Sequence, residues 1–187
     1  GDSEIISDRH ITELYSECFK IINSNSVGVY YNFLQTFRRN SIDLNCKRHL
    51  AIFVKHNVIP EYCFGCYKVQ IEPRSVIDLI KLFVVFDKLE LNRNNIRKCM
   101  VEIRPQIPGF YKGLIYCSSI GEANKTADYL NVIMKNNIGT GLSAKVKRGC
   151  SEYPISFPQY KEINISGPQV MEYNEEWRAI EENYDTK

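Results

Sequence analysis

The stretch "YKVQIEPRSVIDLIKLFVVFDKLEL", residues 67–91, decides the fold, because its hydrophobic period changes partway along. Over Tyr67–Ile71 apolar and polar side chains alternate, as they do on a strand with one buried face. Pro73 and Ser75 then open a helix, with Ser75 as its cap. That helix is apolar nearly all round: Val76, Ile77, Leu79, Ile80, Leu82, Phe83, Val84, Val85, Phe86 and Leu89 leave little polar surface. One sheet cannot cover every side of it, so a further layer must pack there.

C-terminal to this unit, "IRKCMVEIRP" (96–105) and "GFYKGLIYCSS" (109–119) read as strands joined by a turn at Pro105–Gly109. "SSIGEANKTADYLNVIMKNNIG" (118–139) reads as a helix, with Ser119 and Glu122 at capping-box spacing and Gly139 as a stop signal. "SAKVKRGCSEY" (143–153) reads as a fourth strand. The order β-α-β-β-α-β predicts an α+β protein with a ferredoxin-like core, strand order 4-1-3-2 and both helices on one sheet face.

N-terminal to it, "SDRHITELYSECFKII" (7–22) and "SIDLNCKRHLAIFVKHN" (41–57) carry helical stripes, with Ser7 or Asp8 and Ser41 as caps. The aromatic run "SVGVYYNFLQTFRRN" (26–40) between them also reads as helical, although Gly28 weakens it. These helices are the available partner for the apolar helix. After the core, Tyr173, Trp177, Ile180 and Tyr184 mark an acidic helix. It reads either as docked on its own chain or as an arm for a partner. The expected organisation is one compact unit: N-terminal helices over 1–62, the core over 63–153, and an extended segment with an acidic C-terminal helix over 154–187.

Composition narrows the function classes. Of 187 residues, 44% are hydrophobic and 25% charged, which excludes wholesale disorder. The net charge of +2 divides into a body of +6 over Gly1–Val170 and a tail of −4 from Met171 onward. No apolar run approaches the ~18 residues of a membrane span, and "GDSEIISDRH" lacks the features of a signal peptide. Seven cysteines, an odd count, point to reduced thiols and a cytoplasmic protein.

Two groups of residues are candidates for chemistry. Cys63 and Cys66 precede the first core strand, and the 4-1-3-2 order brings them near Cys150 after the last one. Three thiolates in one place suit zinc or an iron–sulfur cluster, with Cys46, His49 or His56 as a fourth ligand. The competing reading is small apolar thiols packed in a core, and no second Cys-x-x-Cys half supports the metal. A redox pair of the Cys-x-x-Cys type sits at a helix N-terminus, whereas this one stands before a strand. At the opposite end of the sheet, Ser118 and Ser119 open a helix with Arg74 and Arg97 expected nearby. This is an anion-binding arrangement if the serines are not simply caps.

The three histidines, His10, His49 and His56, all lie in the N-terminal helices, and no nucleophile–base pair emerges. "GFYKGLIY" (109–116) echoes an RNA-binding strand motif, although Pro108 stands where a basic residue leads it. A sheet face of Lys68, Gln70, Glu102, Arg104, Lys145 and Lys147 is the surface such a module would display. "YCFGCYKVQIEPRSVIDLIKLF" (62–83) and "KRGCSEYP" (147–154) also resemble segments of uncharacterised bacterial proteins of the kind carried on mobile integron cassettes. That group is joined by no functional motif, so the resemblance implies no activity and no site residues.

The sequence therefore predicts a non-catalytic binding or protein-interaction module. Self-association is expected through the tail or a sheet edge. The alternatives are a cysteine-ligated zinc or iron–sulfur protein and an RNA-binding domain. No membrane partner and no other cofactor is implied.

Overall fold

A computed structural model describes residues 5–24, 35–37, 43–105 and 107–186, with 35–37 described by backbone alone. In chain order the elements are α1 (Asp8–Ser24), β1 (Gln35–Phe37), α2 (Cys46–His56), α3 (Glu61–Gly65), β2 (Tyr67–Ile71), α4 (Val76–Lys88), β3 (Arg97–Val101), β4 (Tyr111–Cys117), α5 (Ile120–Asn137), β5 (Ala144–Arg148) and α6 (Arg178–Asp185). Helices and a mixed-order antiparallel sheet make this an α+β protein. The sheet runs β1-β3-β4-β2-β5, with every neighbouring pair antiparallel.

The caps read from the sequence explain two helix starts. Ser75 Oγ accepts from the Asp78 amide and Ser119 Oγ from the Glu122 amide, each at 3.1 Å. The Gln35–Phe37 strand corrects the helical reading of 26–40, whose other residues lie outside the described ones, as does the Ser41 cap. β-branched and aromatic residues there favour strand pairing when an open sheet edge is offered. In α2 the buried stripe is His49 and Ile52, while Val54 is 76% exposed.

Helices α4 and α5 cover one sheet face. Leu79, Leu82 and Phe86 of α4 and Ala123, Ala127, Leu130 and Met134 of α5 close over Tyr67, Val69, Ile71, Cys99, Ile115 and Cys117. Gly113 of β4 makes this approach possible, because a Cβ there would collide with Leu82 and touch Phe86 at 3.1 Å. The outer side of α4 meets α1, tied by an ion pair between Lys81 and Asp8. Thus the second layer demanded by the apolar helix is supplied by an N-terminal helix.

A second cluster lies beside the sheet. Ile59, Cys63, Tyr153 and Tyr160 form its centre, with Phe53, Phe64, Cys150, Phe157, Met171 and Trp177 packed around them. Each such apolar burial contributes about 1.5–3 kcal/mol, which is what holds the irregular C-terminal segment. Arg148 pins this cluster to β5. Its guanidinium donates to the Phe64 carbonyl at 2.6 Å and to the Tyr67 hydroxyl at 3.0 Å, stacked over the Tyr67 and Tyr160 rings. The tail docks on its own chain: Arg48 pairs with Asp185 at 2.6 Å, and Glu181 accepts from the Glu61 amide.

A candidate thiol and lysine site at the sheet junction

The antiparallel register of β2 with β5 decides which cysteines meet. Tyr67 lies opposite Arg148, and the Gly149 amide donates to the Cys66 carbonyl at 3.0 Å. Residues just before β2 are therefore brought against residues just after β5. Cys63 and Cys150 share the second cluster with Tyr153, whose hydroxyl lies 3.1 Å from Cys63 Sγ. Cys66 Sγ packs instead against Gly149, where a Cβ would stand only 2.5 Å from the sulfur.

The thiols differ in charge preference. Hydrogen bonding from Cys63 favours the thiolate of Cys150 and pulls that thiol below its usual range, with Tyr153 and Lys68 helping, against burial and Glu152. Donating to Cys150, together with burial, raises Cys63 well above the usual thiol range. Burial pushes Cys66 up to about 12. Among the described residues, no group of three histidine, cysteine or acidic side chains is placed to hold one metal ion. Cys63, Cys66 and Cys150 are thus neighbours without forming a ligand set.

The adjoining sheet face differs from the one expected. Only its edge is open: Lys145 is exposed and Arg104 and Lys147 are half-exposed, whereas Lys68 is 6% exposed and Gln70, Glu102 and Lys112 are buried with it. Most of its charges are matched. Arg104 bridges Glu102 at 2.8 Å and Glu152 at 2.6 Å, Lys112 reaches Glu102 at 3.3 Å, and Lys147 reaches Glu72 at 3.5 Å. The Arg104 contacts hold the Glu102 carboxyl down at about 2. Among the buried charges of this face, Lys68 is the exception. Among the described residues no hydrogen bond or ion pair reaches its ammonium. Burial lowers its pKa to about 8, against partial support from Cys150 and Glu152 and opposition from Lys98 and Lys112. Lys68 lies opposite Tyr116 on β4, and the Lys98 ammonium sits 5.6 Å from that ring.

The four residues expected to bind an anion do not converge. Arg74 follows Ile71, which pairs with Gly113, whereas Ser118 follows Cys117, which pairs with Tyr67, so the two stand at opposite ends of the antiparallel ladder. Arg74 approaches Asp78 at 3.5 Å. Arg97 turns into the helix-covered side, where it donates to the Phe86 carbonyl at 2.7 Å and to the Leu89 carbonyl. Ser118 accepts from Arg93 and contacts the Glu122 carboxylate through both its amide and hydroxyl, and Ser119 serves as the cap. The chain's own Glu122 therefore fills the anion position at this helix start.

The RNA-like strand is also placed differently from an open platform. Tyr111 packs with the helix-side core, and Lys112 is committed to Glu102. Sequence reasoning missed Lys98, Tyr116, Glu152 and Tyr153. The period-2 alternation places Lys98 and Tyr116 on the face of Lys68, a signal that was readable. Tyr153 lies in a 3₁₀ turn, Tyr153–Ile155, which no periodicity announces. No helix among the described residues is long and apolar enough to cross a membrane. No family model, curated protein or solved structure matches the chain.

Proposed function

We propose that this protein is a non-catalytic binding module that receives an anionic group over Lys68, on the sheet face away from α4 and α5. The observation that carries the reading is the 6% exposed Lys68 side chain with no ion-pair or hydrogen-bond partner among the described residues. An ammonium on a buried side chain with no direct hydrogen bond or ion pair is held at a cost, and a bound anion would supply a direct partner. Arg104 and Lys112 are already spent on Glu102 and Glu152, which leaves Lys68 as the buried lysine of this face to receive the anion. A face whose central side chains Lys68, Gln70, Glu102 and Lys112 are buried suits a small anionic ligand better than a nucleic-acid strand stacked on an open sheet. We also read the core as ferredoxin-like, supported by β5-β2-β4-β3 lying in chain order 4-1-3-2 with α4 and α5 on a shared face, and β1 added beyond β3.

Thermal unfolding with inorganic phosphate, citrate or a nucleoside monophosphate tests the proposal. At a concentration about 100 times the dissociation constant, a ligand of the native state adds about 2.7 kcal/mol. At least one of the three should raise the midpoint for the native chain and for Lys145→Met, but not for Lys68→Met. No shift with any of them, or equal shifts with Lys68→Met, overturns the reading.

A further inference from the structure

We propose that Cys150 and Cys63 are a peroxide-responsive pair that closes into a reversible disulfide, with Cys150 as the attacking sulfur and Cys63 as the resolving one. The inference does not depend on anion binding at Lys68. It rests on the register that sets the start of β2 against the end of β5, and on the packing of both thiols in one cluster around Tyr153. Cys150 is the half-buried member and Cys63 is 3% exposed, so an oxidant meets Cys150 first. Lys68, Tyr153 and Cys63 favour the Cys150 thiolate, while Glu152, Cys46, Cys66, Lys98, Tyr116 and Tyr160 are further titratable groups facing this junction.

The steps balance with a hydroperoxide as the two-electron oxidant. The Cys150 thiolate attacks the peroxide oxygen; an S–O bond forms, the O–O bond breaks, and the departing oxyanion takes a proton from water. Cys63 sulfur then attacks the sulfenic sulfur; the S–S bond forms, the S–O bond breaks, and the Cys63 proton leaves with the hydroxyl as water. Oxidation of Cys150 also removes the thiolate to which Cys63 donates, and with it one cause that holds the Cys63 proton. The resolving thiol is released by the first step. Cys66 lies against Gly149, outside the Tyr153 cluster that holds Cys63 and Cys150, and a Cys66–Cys150 bridge as the main product would also overturn the pairing.

The test treats the full chain with hydrogen peroxide, alkylates the remaining thiols and maps linked peptides by mass spectrometry without reduction. The expected product joins the peptide of Cys63 to that of Cys150 with the loss of two hydrogens, and dithiothreitol reverses it. Cys150 should react at least about tenfold faster than the exposed Cys18. In Cys63→Ser the reaction should stop at a sulfenic acid on Cys150 that dimedone traps; in Cys150→Ser, Cys63 should stay reduced. Oxidation of Cys18 and Cys46 ahead of Cys150 overturns the proposal, and so does a Cys63–Cys66 bridge as the main product. The native-chain measurement decides the matter even if a variant fails to fold.

Discussion

The two faces of the sheet each bury a cation, and they treat it in opposite ways. On the helix-covered face, Arg97 is 1% exposed and places its guanidinium on the carbonyls of Phe86 and Leu89, at the C-terminal end of α4. Those carbonyls lack helical donors and carry the negative end of the helix dipole, so the charge is met twice. On the other face, the Lys68 side chain is nearly as deeply buried, and no hydrogen bond or ion pair among the described residues reaches its ammonium, which has only the longer-range support of Cys150 and Glu152. The contrast teaches that burial alone does not tell how a cation is held; the destination of its donors does.

The sharpest way to break this contrast is Arg97→Ala, which should cost about 3–5 kcal/mol by leaving helix-end carbonyls without a buried partner. A denaturation curve within 1 kcal/mol (~) of the native chain's would mean that Arg97 is as dispensable as an exposed arginine. Lys68→Met should act with the opposite sign and stabilise the ligand-free protein by about 2 kcal/mol, since an apolar side chain replaces an unmatched ammonium. The native Lys68 pKa is about 8 against 10.5 for the free side chain. As pH climbs between these values the folded state sheds this proton before the unfolded one, so the native chain gains stability and the advantage of Lys68→Met should shrink. An advantage that stays constant from pH 7 to about 10 would place the ammonium in water after all.

Glu102 gives the next effect. Its carboxyl titrates at about 2 rather than 4.5, so its stabilisation is present above the higher value and is lost as pH falls toward the lower one. With the part-exposed Arg104 discounted for screening, that is on the order of 2 kcal/mol. Glu102→Gln should be less stable at neutral pH and should flatten the acid limb of the stability curve; an unchanged limb would remove Glu102 from the network. The smallest effect is Ser119→Ala, about 1 kcal/mol for one lost helix cap. Hydrogen exchange of the Glu122 amide, accelerated in the variant, checks it.

How much of this was legible in the sequence depended on whether a signal was local. Ser75 and Ser119 announce helix starts because a cap acts within three residues, and the alternation of Tyr67–Ile71 fixes its two faces. The meeting of Cys63 with Cys150 followed from strand order. Arg97 was misplaced because alternation tells which face a residue takes, not whether a helix end waits there; its partners, Phe86 and Leu89, belong to another element. Lys68 and Gln70 read as solvated because polar residues on a strand usually face water. Their burial depends on what lies over the sheet, which no period within β2 encodes.

Trp177, the one tryptophan of the chain, tilts against Phe157 at 5.3 Å and Tyr173 at 6.2 Å, where the tail meets the second cluster. Its indole is therefore a built-in optical gauge of tail docking. Emission should move to the red and quench readily with iodide when residues near the C-terminus lift away, while the α4–α5 core, which holds no indole, stays silent. Local release of the tail can thus be followed separately from global unfolding, without attaching any dye.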